Sequence, residues 1–396
     1  MQRKYVVLIL LSVLSVITFL DRNAISLAGQ RITEELQLTD GQFGWILSAF
    51  TIAYGVFEIP TGLMGDRFGA KRILIRVVLW WSFFTIITGF AGGFASLFII
   101  RFMFGAGEAG AYPNTAIAIR GWFPAVERAR AQALIWMSSR IGGAIAPFLV
   151  IPLQMHYGWR VSFYVLGAVG VVWVLIWTIM YRDAEENHEP VTKSEDGVSW
   201  KVWLSNGNFW LLMMMYFCYA GGVFFFISWL PRYLQNGRGI TEDQLAYSAS
   251  LPFFLAAIGC LAGGSISDLL VKKIGMNWGR RLVPLIGLIL SGSSMLMVAM
   301  ITDNSVAIIF LALGLAFMDV TAPVSWAVAT SMGGKNSGAI TGAMNTAGLL
   351  AGTLISVGVG YVVTSFHSYT IPVVVIGALL IFGGFLWLFI DADRKL

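Results

Sequence analysis

Gly62-Leu63-Met64-Gly65-Asp66-Arg67-Phe68-Gly69-Ala70-Lys71-Arg72 lies between two apolar stretches of membrane-spanning length. It begins with a glycine four residues ahead of an aspartate and closes in a basic turn. The arrangement returns six apolar stretches later as Gly264-Ser265-Ile266-Ser267-Asp268, followed by Lys272, Lys273 and the pair Arg280-Arg281. A loop repeated at that interval is what duplication of a helical bundle leaves behind. The pattern predicts an all-α membrane protein of two pseudo-symmetric six-helix bundles.

The flanking sequence supports twelve spans. About twenty apolar residues are needed to cross the hydrocarbon core as a helix. Such stretches fall near residues 5–29, 42–64, 73–92, 95–119, 130–153, 160–181, 207–234, 245–271, 281–300, 304–330, 337–364 and 370–390. The long polar break at 182–203 divides them six and six. The expected organisation is an N-terminal bundle over 1–181, a cytoplasmic linker over 182–206 and a C-terminal bundle over 207–396. Composition agrees, at 57% hydrophobic and 12% charged residues. Soluble domains average about 25% charged residues, so a large water-soluble protein is excluded. The first stretch runs into charged residues without a small-residue cleavage site and reads as a retained helix.

Loop charges orient the chain. One set of helix ends carries Arg3, Lys4, Arg67, Lys71, Arg72, Arg76, Arg120, Arg128, Arg130, Arg182, Lys193, Lys201, Lys272, Lys273, Arg280, Arg281, Lys335, Arg394 and Lys395. The opposite set carries only Arg31, Arg160, Arg232 and Arg238. The bias places both termini and the central loop in the cytoplasm of an inner-membrane protein. It also accounts for the net charge of +5 through anchoring on anionic lipid, without nucleic acid. Cys218 and Cys260 lie in apolar stretches and behave as small hydrophobes. His156, His188 and His367 do not cluster, so no metal site is expected.

The remaining basic residues, Arg22, Arg101 and Arg140, fall inside spans, with the acids Asp21, Glu58, Glu108 and Asp319. Each such group costs roughly 2.5–3.5 kcal/mol at membrane depth, so it should face a cavity or a partner rather than lipid. Arg101 and Glu108 are seven residues apart on one helix face, about 10 Å along the axis. Gly105, Gly107 and Gly110 let another helix approach that segment closely.

These motifs resemble the major facilitator superfamily. Gly62 to Arg72 resembles its hallmark loop between helices 2 and 3, and Arg101-x-x-x-Gly105-x-Gly107 its helix-4 motif of proton-coupled members. Within it the chain is similar to the anion:cation symporters, which include bacterial galactonate, glucarate and hexuronate transporters and the vesicular glutamate and sialic acid carriers. The carriers of that similarity are Leu20-Asp21-Arg22, Ser48-Ala49-Phe50 through Ile59-Pro60, Glu108 with Pro113, Trp122-Phe123-Pro124, Trp229-Leu230-Pro231, and Gly342, Asn345 and Gly348. Three positions depart from the group: Glu58 where glutamine is usual, Arg140 after Ser139, and Asp319.

The resemblance implies a proton-coupled importer of an organic anion, a sugar acid or other hydroxylated carboxylate. Arg22 would grip the substrate carboxylate through two parallel hydrogen bonds, the alternative being a structural partner for Asp21 or Glu108. Asp21 and Glu108 would carry the proton with Arg101 holding them near balance, the alternative being a static buried network. Tyr54, Ser139 and Asn345 are candidates for substrate hydroxyls or for interhelical hydrogen bonds. Arg140 would bind a second carboxylate or neutralise Glu58 or Asp319. The aromatic group Tyr216, Tyr219 and Phe224-Phe225-Phe226 reads as packing or as a gate. Gly62, Asp66, Arg67 and Asp268 would control conformation at the cytoplasmic loops, or serve only as topology signals.

Three positive and four negative interior groups leave one excess negative charge, so an entering anion favours protonation of a carboxyl. The expected cofactor set is empty, with the proton as coupling ion. The expected partners are the anion and the bilayer, with no obligatory protein partner and a monomeric state. An enzyme is not expected. A phosphate-ester antiporter or other anion exchanger, a cation or drug exporter, and a membrane anion sensor are the alternatives.

Overall fold

The computed structural model describes residues 3–182, 203–334 and 337–393. The Asp66 side chain and most of the expected linker, residues 183–202, lie outside the described part. Among the described residues every regular element is helical. The first half holds α1 (Arg3–Leu27), α2 (Gly29–Glu35), α3 (Asp40–Phe68), α4 (Ala70–Thr88), α5 (Phe94–Glu108), α6 (Ala111–Trp122), α7 (Ala125–Tyr157) and α8 (Trp159–Met180). The second holds α9 (Gly207–Ser228), α10 (Glu242–Ile274), α11 (Met276–Met300), α12 (Asn304–Asp319), α13 (Thr321–Gly333), α14 (Ser337–Phe366) and α15 (Thr370–Leu386). Among the described residues, ten helices are long and apolar enough to cross a membrane, counting α5 with α6 and α12 with α13 as single passes. The 19 residues of α4 and 17 of α15 complete twelve passes.

Local chemistry sets the boundaries. Thr39 caps α3 reciprocally with Gln42: the Gln42 amide donates to Thr39 Oγ1, and the Thr39 amide donates to Gln42 Oε1. Asp303 caps α12 by accepting from the Val306 amide. The two repeated loops each turn on a glycine in the left-handed region, Gly69 at φ +82° and Gly275 at φ +88°, a conformation that other residues adopt only under strain.

Helices 4 and 10 of the expected twelve, read as continuous, are each broken near the middle. The first breaks after Glu108 and the second after Asp319. Pro113 and Pro323 follow within five residues, and each lacks the amide that would bond back across the break. The repeat is visible in packing as well. A Cβ on Gly62 would lie 3.4 Å from Pro113, and one on Gly264 would lie 3.6 Å from Pro323. In each half the loop-motif glycine packs on the proline that kinks the broken helix.

The chain groups into two compact units, Met1–Pro190 with Ile227–Ser250 and Ser356–His367, and Val191–Phe226 with Leu251–Ile355 and Ser368–Leu396. The first unit therefore includes segments from beyond the polar break. They are tied to it at the end away from the basic loops. Asp40 pairs with Arg232 at 2.7 Å and Arg31 with Glu242 at 2.5 Å. The Gly41 amide donates to Thr364 Oγ1 at 3.1 Å, and Trp45 Nε1 to the Tyr361 hydroxyl at 3.2 Å. A Cβ on Gly44 would stand 2.5 Å from the Ser356 carbonyl oxygen, so α3 and α14 meet here backbone to backbone. In the second unit, Asp268 pairs with Arg280 at 2.9 Å across the repeated loop.

Candidate functional site

Asp21 and Arg22 are neighbours on α1 and point about 100° apart. That separation lets Arg22 meet a ring of aromatic side chains while Asp21 turns into the bundle, 1% exposed. The Arg22 guanidinium lies 5.0 Å from the ring centres of Phe50 and Tyr54, 5.4 Å from Phe19 and 5.7 Å from Tyr112. Such contacts each contribute about 0.5–2 kcal/mol, more as the site is desolvated. Arg22 Nε donates to Glu108 Oε1 at 2.5 Å. Its Nη2 is buried and has no hydrogen-bond partner among the described residues, and neither has Glu108 Oε2.

Gly105 of α5 makes this closeness possible. A Cβ on Gly105 would lie 2.5 Å from the Phe50 carbonyl oxygen, so α3 and α5 touch along their backbones. Phe50 is thereby set between two cations, 5.0 Å from Arg22 and 5.7 Å from Arg101. Arg101 is 2% exposed and stacks 4.2 Å from Phe104. Asp21, Glu108 and Arg101 lie within electrostatic reach of one another. Neither Asp21 oxygen has a donor at hydrogen-bond geometry among the described residues. Two carboxyls and two guanidinium groups thus share one largely buried pocket.

Tyr54, on α3, is 4% exposed with its ring against Arg22. Glu58, one turn further along, is half-buried. Ser139, on α7, is fully buried and donates to the Trp136 carbonyl at 2.6 Å, within its own helix. Arg140 lies 5.7 Å from the Phe19 ring on the side of α7 that meets α1. Asn345, on α14, is half-buried in the second unit. Asp319 is fully buried there and accepts from the Tyr219 hydroxyl at 2.9 Å. Tyr216 accepts from Trp326 Nε1 at 3.2 Å, and its ring lies 5.3 Å from that of Tyr219. Gly62 packs on Pro113, and Arg67 stacks 5.2 Å from Phe68.

Phe19 and Tyr112 were not singled out from the sequence, yet both surround Arg22. For Phe19 the signal was spacing, since it precedes Arg22 by three residues and shares its face of α1; Tyr112 lies beyond the break after Glu108, where spacing along one continuous helix does not apply. Tyr112 is further fixed by stacking on Trp136 at 4.9 Å. Among the described residues no three His, Cys, Asp or Glu side chains come together as a metal site.

This geometry can be set beside known proteins. The family model of the Major Facilitator Superfamily matches residues 11–356. The chain belongs to this superfamily of membrane transporters. A protein of Cupriavidus necator named "Probable sulfoacetate transporter SauU" is 34% identical, over 98% of this chain and 94% of its own length. The hexuronate transporter of Bacillus subtilis is 30% identical over 96% and 92%. The D-galactonate transporter of Escherichia coli is 28% identical over 100% and 97%. Among solved structures, a bacterial homologue of the human lysosomal transporter Spinster, in an inward-facing and occupied conformation, superposes with a TM-score of 0.82. It covers 100% of this chain and 98% of its own at 18% identity, a likeness of fold. The superfamily is one of transporters rather than enzymes, in keeping with the expectation from sequence.

Proposed function

We propose that this superfamily member is a proton-coupled symporter that imports an organic anion across the inner membrane by alternating access, with both termini cytoplasmic. The observation that carries the reading is the Arg22–Glu108 pair with Arg22 Nη2 left open. A guanidinium can hold a carboxylate through two parallel hydrogen bonds, and Arg22 spends its Nε on Glu108 while the N–H groups of Nη2 are unused among the described residues. An incoming carboxylate at Arg22 would sit beside an ionised Glu108, and like charges in a buried pocket repel more strongly than in water. A proton on Glu108 removes that repulsion and releases Arg22 Nε. Anion and proton therefore favour each other's binding, and the coupling is reciprocal.

Asp21 extends the same chemistry. Asp21 is buried beside Glu108 and Arg101, with the Trp81 indole close by, and is the proposed partner of Glu108 in carrying the proton. Arg101 keeps both carboxyls within reach of a positive charge. Tyr54 and Asn345 are the proposed contacts for substrate hydroxyls, with Ser139 in a supporting place on α7. Gly62, Asp66, Arg67 and Asp268 are the proposed elements of conformational control.

The relatives support the proposed substrate class. Hexuronate and galactonate are hydroxylated carboxylates, and sulfoacetate carries a sulfonate besides its carboxylate. A second acidic group would suit Arg140, whose guanidinium faces the same Phe19 ring as Arg22. A phosphate-ester exchanger is disfavoured because no basic residue lies between Asn208 and Pro231 in the first span of the second half.

The test is uptake of labelled hexuronate, galactonate and sulfoacetate into proteoliposomes with an acidic exterior. Accumulation that collapses with the pH gradient supports the reading. Gradient-independent equilibration of every organic anion tried overturns it.

A further inference from the structure

We propose that Asp319 binds a second proton of the transport cycle, besides the one shared by Asp21 and Glu108, so that each bundle carries its own coupling site; this rests on the symport reading above. The argument comes from the structural repeat. The packing of Gly62 on Pro113 and of Gly264 on Pro323 fixes the register between the broken helices of the two bundles. Aligned on those prolines the two acids stand one residue out of step, Glu108 five and Asp319 four residues ahead, and each ends the first segment of its broken helix. Both are 0% exposed. Each is hydrogen-bonded by the first helix of its own bundle, Glu108 by Arg22 of α1 and Asp319 by Tyr219 of α9.

Packing around Asp319 is as close as around Glu108. A Cβ on Gly222 would lie 2.5 Å from Met318 Sδ, which brings α9 onto α12 and places Tyr219, one turn earlier, against Asp319. A Cβ on Gly263 of α10 would stand 2.3 Å from the Val320 carbonyl oxygen, and one on Gly287 of α11 2.6 Å from that of Phe317. The titratable groups near this break on those elements are Tyr216, Cys218 and Tyr219 of α9 and Cys260 of α10; α11 has none beyond Arg281.

Tyr219 is chemically suited to a carboxyl that gains and loses a proton. A phenol hydroxyl donates to a carboxylate and accepts from a carboxylic acid, so the contact survives either state. The break supplies the movement, because a helix interrupted next to the acid can bend without loss of a continuous hydrogen-bond ladder.

The experiment measures proton stoichiometry at zero net flux in proteoliposomes, with voltage clamped and one unit of pH gradient. For a substrate shown to be driven, two protons balance an anion ratio of about 100-fold and one proton about 10-fold. The wild type is expected near the larger ratio and Asp319→Asn near the smaller, with substrate counterflow retained. Asp319→Glu, which keeps a titratable group should the asparagine variant fail to fold, is expected to keep the larger ratio. A wild-type ratio near 10-fold, or an unchanged ratio in Asp319→Asn, overturns the proposal. Absence of any driven uptake in the wild type instead overturns the symport reading.

Discussion

Arg22 and Glu108 are joined by a 2.5 Å contact that leaves Arg22 Nη2 and Glu108 Oε2 without hydrogen-bond partners among the described residues. A buried pair that is only half satisfied is costly as architecture. It is well arranged for a carboxylate that arrives and a proton that comes with it.

Substituting Arg22 by Lys keeps the charge but removes the fork. A lysine cannot hold Glu108 and a substrate carboxylate together, and each charge-assisted hydrogen bond contributes about 1.5–3 kcal/mol. Anion affinity, read as the ligand-induced rise in unfolding temperature of the purified protein, should fall about tenfold or more. Unchanged affinity would assign the carboxylate to another residue.

Gly105→Ala should be poorly tolerated. The new methyl would lie 2.5 Å from the Phe50 carbonyl oxygen and must push α3 from α5, an overpacking cost of roughly 1–3 kcal/mol. It would also move Phe50 off Arg22. A lower unfolding temperature with reduced uptake is expected, whereas Gly358→Ala, which meets nothing within 4 Å, should be neutral.

The ion pair between Asp40 and Arg232 holds α3 to the short helical segment Leu230–Arg232 that follows α9. Asp40→Asn leaves a nearly buried guanidinium without its counter-charge, a loss of roughly 1–3 kcal/mol. The double variant with Arg232→Gln should recover part of it, as a thermal double-mutant cycle would register. Strict additivity would mean that the pair contributes nothing.

Glu35 predicts a pH effect. The Trp159 indole donates to its carboxylate at 2.6 Å and Arg160 adds a second hydrogen bond, and together they hold the carboxyl below its ordinary value. A depressed folded value stabilises the protein above the unfolded value, and that stabilisation is lost as pH falls through the folded one. The acid-side fall in unfolding temperature, below about pH 4.3, should therefore be shallower in Glu35→Gln. An identical slope would show that the contact carries no linked proton. The group is largely exposed, so the effect is small.

Much of this was legible in sequence. Apolar run length gave the twelve passes, and interior charges marked Asp21, Arg22, Arg101 and Glu108 because such groups are too costly at depth to be incidental. The breaks after Glu108 and Asp319 were foreshadowed by Pro113 and Pro323, but apolar residues continue through both and hydropathy reads one uninterrupted span. The pairs Asp40–Arg232 and Arg31–Glu242 were not legible. They join residues about two hundred positions apart, and loop charges read singly report topology, not partners. The aromatic ring around Arg22 draws on α1, α3 and α6 and needs the tertiary packing to be seen.

The central claim is that proton and anion meet through Glu108 at Arg22. Its most direct test compares proton-driven uptake with substrate counterflow in Glu108→Gln proteoliposomes. The glutamine mimics the protonated acid, so counterflow should persist while accumulation driven by the pH gradient is lost. Driven accumulation at the wild-type level would contradict the account and leave Glu108 a structural partner of Arg22.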